Sequence, residues 1–222
     1  MTNGLKHPAK YTDSFIPIFA AKLKSYSNVF DPFGGTGKLA TIKDFGYTGL
    51  VICGEIEPDW PESSIHDVDE WIIGDSSDVD RPDGSFESIC TSPTYGNRMA
   101  DHFNATDSSK RITYRHFLGR PLAENNSGRM QWGVKYRKLH EKVYVECKRL
   151  LKTDGIILIN ISNHIRKGEE IDVVSWHRTA LLALGFVVKE EIEIPTPRMG
   201  FGANNKLRVA NEYILIFQKI ED

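Results

Sequence analysis

The 222 residues are 40% apolar and 26% charged with a formal net charge of −2, a balance typical of one soluble globular domain. No stretch approaches the roughly 18 uninterrupted apolar residues of a membrane helix, and no apolar run near the N-terminus is like that of a signal peptide. Three cysteines far apart in the chain argue against a disulfide framework and a zinc cluster, so we expect a cytoplasmic protein without metal or membrane partner.

The predicted elements begin with an amphipathic helix over residues 13–23, in which Ile16, Phe19 and Leu23 share one face. Further helices are predicted over residues 38–45, 136–151 and 171–184, with Gly155 as the left-handed cap after the helix 136–151. Strands are predicted over residues 27–30, 49–56, 71–74, 86–91, 156–161, 186–194 and 213–218. This alternation predicts an α/β fold with a mostly parallel seven-stranded sheet, helices on both faces and an antiparallel edge.

The first predicted strand leads into a glycine-rich loop, residues 31–37, which reads Asp-Pro-Phe-Gly-Gly-Thr-Gly. A phosphate loop needs a glycine five positions before its Gly-Lys pair and a serine or threonine after it, but Pro32 and Leu39 occupy those positions. The dinucleotide fingerprint is also absent, because no glycine follows Gly37 by three residues. What remains is a loop that lets a ligand approach backbone, preceded by the Asp31 carboxylate, which suits a cationic amine better than a pyrophosphate.

Two more acidic residues follow the next two predicted strands. Glu55 ends the second strand, where its carboxylate can accept hydrogen bonds from both hydroxyls of a ribose. Ile56 beside it can pack on an adenine face, and Asp75 after the third strand can accept from the adenine amino group. Ligands of parallel sheets lie at the carboxyl ends of the strands. Three acids at successive strand ends therefore predict an adenosine site.

The fourth predicted strand leads into a second polar loop, Ser92-Pro93-Thr94-Tyr95. With both loops the sequence resembles class I S-adenosylmethionine-dependent methyltransferases, and more narrowly the amino-methyltransferases that modify adenine N6 or cytosine N4 of DNA. That family's catalytic motif is (Asp/Asn/Ser)-Pro-Pro-(Tyr/Phe/Trp), from which Thr94 alone departs by restoring a backbone N–H and freeing φ. The matching stretches span nearly the whole chain and are residues 7–11, 31–37, 54–58, 74–75, 91–95, 149–152 with Gly155, and 211–217.

The resemblance implies roles for particular residues. S-adenosylmethionine would be held by Lys10, Tyr11, Asp31, Phe33, Gly34, Gly35, Gly37, Glu55, Ile56 and Asp75. The Ser92 side chain and the Pro93 carbonyl would accept hydrogen bonds from the target amino group, and Tyr95 would stack on the target base. In duplex DNA that base must be flipped out of the helix.

A basic segment follows the second loop. Residues 98–138 contain nine lysines and arginines against three acids, so this segment carries +6 and the remainder of the chain −8. A local positive patch on an acidic protein indicates one anionic partner at one place. We expect the chain to be a single domain over residues 1–222, with 98–138 as an inserted target-recognition segment. The nucleic-acid contacts are predicted at Arg98, Arg111, Arg115, Arg120, Arg129 and Lys135.

Alternatives stay open at this point. An RNA base methyltransferase shares the donor site and a similar loop, but no appended RNA-binding module is visible, which favours DNA. A methyltransferase fold that binds its ligands without turnover is a second alternative, supported only by Thr94. Serine at the first position of the motif resembles the cytosine-N4 enzymes, so we slightly favour cytosine N4 over adenine N6. The recognition sequence and the oligomeric state are not readable from the sequence.

Overall fold

The computed structural model describes residues 12–96, 118–195 and 209–221. Its centre is a seven-stranded sheet in the order β3-β2-β1-β4-β5-β9-β8, with a separate two-stranded sheet of β6 and β7. The strands are β1 Asn28–Asp31, β2 Leu50–Glu55, β3 Glu70–Ile73, β4 Phe86–Thr91, β5 Leu151–Ile161, β6 His164–Arg166, β7 Glu169–Ile171, β8 Phe186–Pro195 and β9 Asn211–Lys219.

The pairing of these strands confirms the predicted fold class. The pairs β1–β2, β2–β3, β1–β4 and β4–β5 are parallel, whereas β9 runs antiparallel to both of its neighbours, β5 and β8. No helix separates β8 from β9 among the described residues, which is the condition for a direct antiparallel pair.

Helices cover both faces of the sheet, as predicted. The α-helices of the described residues are α1 Ile16–Leu23, α2 Asp59–Glu62, α3 Val134–Leu150 and α4 Val173–Ala183. One buried cluster joins α3 and α4 to the sheet, and a second joins α1 and residues 38–45 to it. All three cysteines, Cys53, Cys90 and Cys147, are buried.

The bounds of the first two predicted helices are confirmed. The first is a 3₁₀ turn over Asp13–Phe15 followed by α1, and the second, residues 38–45, is a 3₁₀ helix. The predicted glycine cap is wrong, because α3 ends at Leu150 and β5 begins at once. The left-handed residue is Asp154, at φ 64°, and Gly155 lies within β5. A side chain at Gly155 would place its Cβ 2.8 Å from the carbonyl oxygen of Glu87.

The β6–β7 hairpin has no counterpart among the predicted elements. Its strands have three residues each, too short to display an alternating pattern. Lys167 and Gly168 join them with φ values of 53° and 83°, as a two-residue hairpin turn requires. The described residues contain no helix long and apolar enough to cross a membrane, and no group of three or more potential metal ligands.

Candidate active site

The candidate site lies where β1 and β4 end side by side at the centre of the sheet. The strand order reverses between these two strands, and ligands of open α/β sheets bind at such a point. Asp31 is the last residue of β1 and Thr91 the last residue of β4. The Thr91 hydroxyl donates a 2.6 Å hydrogen bond to Asp31 Oδ1, and both residues are fully buried. The two predicted loops therefore begin at two residues that are hydrogen-bonded to each other.

The Asp31 carboxylate also organises the loop that follows it. Its Oδ1 accepts a second hydrogen bond, of 3.0 Å, from the backbone N–H of Phe33. The segment after β3 is tied to the same loop, because the Ser76 hydroxyl donates to the carbonyl of Pro32 at 2.6 Å. Asp31 thus has a structural task in addition to the amine contact predicted for it, which stays a prediction.

Two loop glycines are required by the packing of the loop itself. A side chain at Gly34 would place its Cβ 2.7 Å from the Cβ of Cys53 on β2. Gly37 has a φ of 76°, and a Cβ there would lie 2.4 Å from a methyl carbon of Val68. Gly35, at φ 54°, also adopts the left-handed conformation that glycine favours. The packing and backbone conformation of the loop are therefore sufficient reason for glycine at these positions. The contact of these glycines with a ligand stays a prediction.

Glu55 lies at the end of β2 with only 8% of its surface exposed. Its Oε2 accepts from the N–H of Gly35 at 2.8 Å, and its Oε1 accepts from the N–H of Glu57 at 2.9 Å. Burial raises the pKa of Glu55 to about 8, although these backbone donors partly offset the rise. A carboxylate offers about four acceptor positions, so these bonds leave room for a neutral donor such as a hydroxyl group. Ile56, next to it, is partly exposed.

Asp75 follows β3 and is the third predicted acid. Its Oδ1 accepts from the N–H of Ser77 at 2.9 Å, and its Oδ2 accepts from the Asn125 amide at 2.8 Å. Burial raises the pKa of Asp75, but these hydrogen bonds outweigh it and leave the pKa below its usual value. Asp75 is thus an ionised acceptor that already holds an amide N–H, the type of donor that an adenine amino group also presents.

Residues 120–126 pack against the loop after β2. Their contacts centre on Glu57, which is 1% exposed. Its carboxylate pairs with Arg120 Nη1 at 2.7 Å and accepts from the N–H of Ala123 at 2.6 Å and the Asn126 amide at 2.9 Å. Arg120 also pairs with Asp59. The guanidinium of Arg120 is therefore engaged by two carboxylates of the protein, and the nucleic-acid role predicted for Arg120 stays a prediction.

The other predicted nucleic-acid residues divide into two groups. Arg129 and Lys135 are exposed, and Arg129 Nη1 donates to the carbonyl of Leu122 at 3.2 Å. Lys135 lies in the first turn of α3. The predictions at Lys10, Tyr11, Arg98, Arg111 and Arg115 lie outside the described residues.

The loop after β4 is held at several points. Ser92 and Tyr95 are half-buried and Pro93 is buried. The Tyr95 hydroxyl lies 3.4 Å from Glu212 Oε2, and the carbonyl of Thr94 accepts a 2.5 Å hydrogen bond from the Tyr136 hydroxyl.

The loop ends at Gly96, whose carbonyl accepts a 2.6 Å hydrogen bond from the N–H of Trp132. Gly96 has a φ of 62°, and a Cβ there would lie 2.8 Å from the Trp132 nitrogen. The structure thus brings the predicted catalytic residues to the same edge of the sheet as Asp31 and Glu55.

Sequence reasoning missed the residues that join these segments. Thr91 was read only as the end of a strand and the first residue of the matching stretch 91–95, and Glu57 only as part of the stretch 54–58. A second acid two residues after Glu55 was the available signal for Glu57. Glu212 was read only as part of the matching stretch 211–217. Nothing local indicated that Tyr136 or Glu212 would contact the loop after β4, because their partners there are 42 and 117 residues away.

A family model described as DNA methylase, N6_N4_Mtase, matches residues 86–222, which is more than half of the chain. No curated protein sequence matches the chain. Among solved structures, the chain is similar to the [4+2]-cyclase SpnF, with 12% identity and a TM-score of 0.63 over 98% of this chain and 85% of that one. It is also similar to the N-methyltransferase NodS from Bradyrhizobium japonicum, with 9% identity and a TM-score of 0.56 over 94% of each chain.

A third similar structure is an S-adenosylmethionine-dependent methyltransferase from Methanosarcina mazei, with 11% identity and a TM-score of 0.56 over 93% of this chain and 98% of that one. At such identities these likenesses establish the fold alone, since one fold hosts many activities.

Proposed function

Because the chain belongs to the N6/N4 DNA methylase family and is an S-adenosylmethionine-dependent methyltransferase, we propose that it methylates the exocyclic amino group of a base in DNA. The observation that carries this proposal is the 2.6 Å hydrogen bond between Thr91 and Asp31. It joins the residue directly before Ser92-Pro93-Thr94-Tyr95 to the first residue of the glycine-rich loop. A methyl donor on one loop and an acceptor on the other would then be neighbours, and proximity contributes much of the rate of a group transfer.

The residues around the glycine-rich loop fit the methyl donor. Glu55 is a buried carboxylate with lone pairs left for two hydroxyl groups of a ribose. Ile56 beside it offers an apolar contact for an adenine, and Asp75 an acceptor for its amino group. Asp31 places a negative charge near the cationic end of the donor. S-adenosylmethionine supplies an electrophilic methyl group on a sulfonium sulfur.

The loop after β4 would prepare the acceptor. The amino group of cytosine or adenine is a poor nucleophile, because its lone pair is delocalised into the ring. We assign the Ser92 hydroxyl and the Pro93 carbonyl as acceptors for the two amino hydrogens, which draws the nitrogen toward tetrahedral geometry and localises the pair. As the C–N bond formed, the bond between the methyl carbon and the sulfonium sulfur would break, and the sulfur would leave as the neutral thioether of S-adenosylhomocysteine. The nitrogen would then carry an extra proton and the positive charge, and it would lose that proton readily to water.

Tyr95 would hold the target base. Its ring is half-buried beside the two proposed acceptors, which suits stacking on a base that has left the duplex. Stacking of a base on an aromatic side chain contributes about 1–3 kcal/mol and depends little on which base it is. Tyr95 therefore would not choose between the bases. We propose cytosine N4 as the target atom ahead of adenine N6, because serine at the first motif position resembles the cytosine-N4 enzymes.

The test is methyl transfer in vitro. Purified protein, isotopically labelled donor and unmethylated double-stranded DNA are incubated, and the digested nucleosides are separated by mass spectrometry. We expect labelled N4-methylcytosine with the natural protein, formed about tenfold to a hundredfold more slowly by Ser92→Ala. Labelled N6-methyladenine alone would overturn the choice of base, and label found only in RNA would overturn the DNA substrate. Donor binding by calorimetry without any transfer to either polymer would contradict the proposed activity altogether.

A further inference from the structure

A chain of buried hydrogen bonds lies behind the loop after β4. It connects Tyr144, His177, Tyr136 and the backbone of Thr94. The Tyr144 hydroxyl lies 2.5 Å from His177 Nδ1, His177 Nε2 lies 3.0 Å from the Tyr136 hydroxyl, and that hydroxyl donates to the Thr94 carbonyl at 2.5 Å. All three side chains are fully buried. These hydrogen bonds therefore join two residues of α3 and one of α4 to the proposed catalytic loop.

The direction of every bond in this chain follows from donor counting. A carbonyl oxygen only accepts, so the single proton of the Tyr136 hydroxyl points to Thr94. His177 Nε2 must then carry its proton and donate to the Tyr136 oxygen. In a neutral imidazole the other nitrogen is an acceptor, so the Tyr144 hydroxyl donates to Nδ1. Burial lowers the pKa of His177 well below its usual value, with His140 beside it as a smaller cause, so the ring is neutral.

The series of hydrogen bonds ends at Thr94, whose own side chain does not hold it in place. Pro93 has its φ restricted by its ring, whereas Thr94 does not. The Thr94 side-chain oxygen is buried and has no hydrogen-bond partner among the described residues, so it does not orient the residue. The peptide group whose oxygen Tyr136 binds is the one that joins Thr94 to Tyr95. The orientation of this peptide group therefore sets the direction of the polypeptide backbone at Tyr95.

We infer that Tyr136 and His177 are positioning residues, which hold the peptide between Thr94 and Tyr95 in the orientation that the base-stacking ring and the two proposed acceptors require. This inference rests on the proposed function. Tyr136 binds the loop directly, and His177 acts through it by donating to its oxygen, which strengthens the outgoing bond through polarisation along the chain. Tyr144 completes the chain at the end remote from the loop.

The structure supplies a matched pair of variants for the test. Tyr136→Phe and Tyr144→Phe each remove one fully buried hydroxyl from α3, and each leaves a nitrogen of His177 with one partner fewer. Only Tyr136→Phe removes the bond to Thr94. We expect kcat to fall about tenfold to a hundredfold in Tyr136→Phe, with the donor Kd within about twofold of the natural protein. In Tyr144→Phe we expect kcat to fall less than about threefold at a similar loss of Tm.

Amide hydrogen exchange provides the readout that does not depend on activity. In Tyr136→Phe we expect faster exchange in residues 94–96 than in the natural protein, and in Tyr144→Phe exchange there close to the natural rate. Equal exchange in both variants, or equal loss of kcat in both, would overturn the positioning role. If the natural protein transfers no methyl group, the proposed function fails, and the exchange comparison still decides whether Tyr136 orders the loop.

Discussion

Thr91 and Asp31 share a buried 2.6 Å hydrogen bond that joins the ends of two neighbouring parallel strands. Thr91→Val keeps the shape of the side chain and removes the donor. We expect a loss of about 1 kcal/mol in the free energy of unfolding and a fall in kcat of about tenfold, since the proposed donor and acceptor loops lose their common anchor. Chemical denaturation and single-turnover kinetics measure the two quantities.

Ser88→Ala is the control for this change. The Ser88 hydroxyl is also buried on β4 and donates to the carbonyl of Asn28 at 2.7 Å, away from the carboxyl ends of the strands. We expect a similar loss of stability with kcat unchanged. If both variants lose rate equally, the loss reflects general destabilisation, and the Thr91–Asp31 bond has no special place in the reaction.

Glu55 makes donor binding depend on pH. Its pKa is raised to about 8 from the usual 4.5, so the folded protein holds a proton between these values that the unfolded chain releases. Stability should therefore fall as the pH rises from about 4.5 to about 8. Hydroxyl donors favour the ionised carboxylate, so donor affinity should rise with pH up to about 8, by at most about tenfold per unit.

Calorimetry of S-adenosylmethionine binding from pH 6 to 9 checks this dependence. Glu55→Gln should bind more weakly and with a flat pH profile. Glu70→Gln is the control, because it changes an exposed carboxyl group at the start of β3, the end remote from the proposed donor site. This variant should retain the pH profile of the natural protein. A profile that is the same in Glu55→Gln and the natural protein would show that another group titrates.

Tyr95 and Ser92 should affect turnover far more than donor affinity. Tyr95→Phe keeps the ring and removes only the hydroxyl near Glu212, so we expect kcat within about threefold of the natural value. Tyr95→Ala removes the stacking surface and should lower kcat about tenfold to a hundredfold, as should Ser92→Ala. The donor Kd, measured by calorimetry, should stay nearly constant in all three. A parallel collapse of donor binding would make the loop structural rather than catalytic.

The exposed cations and Arg120 should behave differently toward nucleic acid. Arg129→Ala and Lys135→Ala should each reduce the slope of log K against log salt by about one unit if each contacts a phosphate. Arg120→Ala should leave that slope unchanged and lower the free energy of unfolding by about 2 kcal/mol, because it leaves the buried carboxylate of Glu57 with one partner fewer. A reduced slope in Arg120→Ala would instead support the contact with DNA predicted for Arg120.

Much of the fold was readable from local pattern. The limits of β4 were predicted without error at residues 86–91, and the other six strands of the main sheet were located within a few residues, apart from the earlier start of β5. Apolar runs bounded by turn residues identify strands because burial and backbone pairing act on consecutive residues. The hairpin of β6 and β7 was not predicted, because its strands are too short to show an alternating apolar and polar pattern.

The sequence by itself determined the positions of Asp31, Glu55 and Asp75 at strand ends and of Ser92 to Tyr95 in a loop, because each depends on where one apolar run stops. Only the tertiary structure decided which side chains meet: Thr91 with Asp31, Arg120 with Glu57, and Tyr136 with the backbone of Thr94. These partners are 60, 63 and 42 residues apart, so no local period records them. A hydrogen bond depends on distance and direction in space, and folding alone brings such distant residues together.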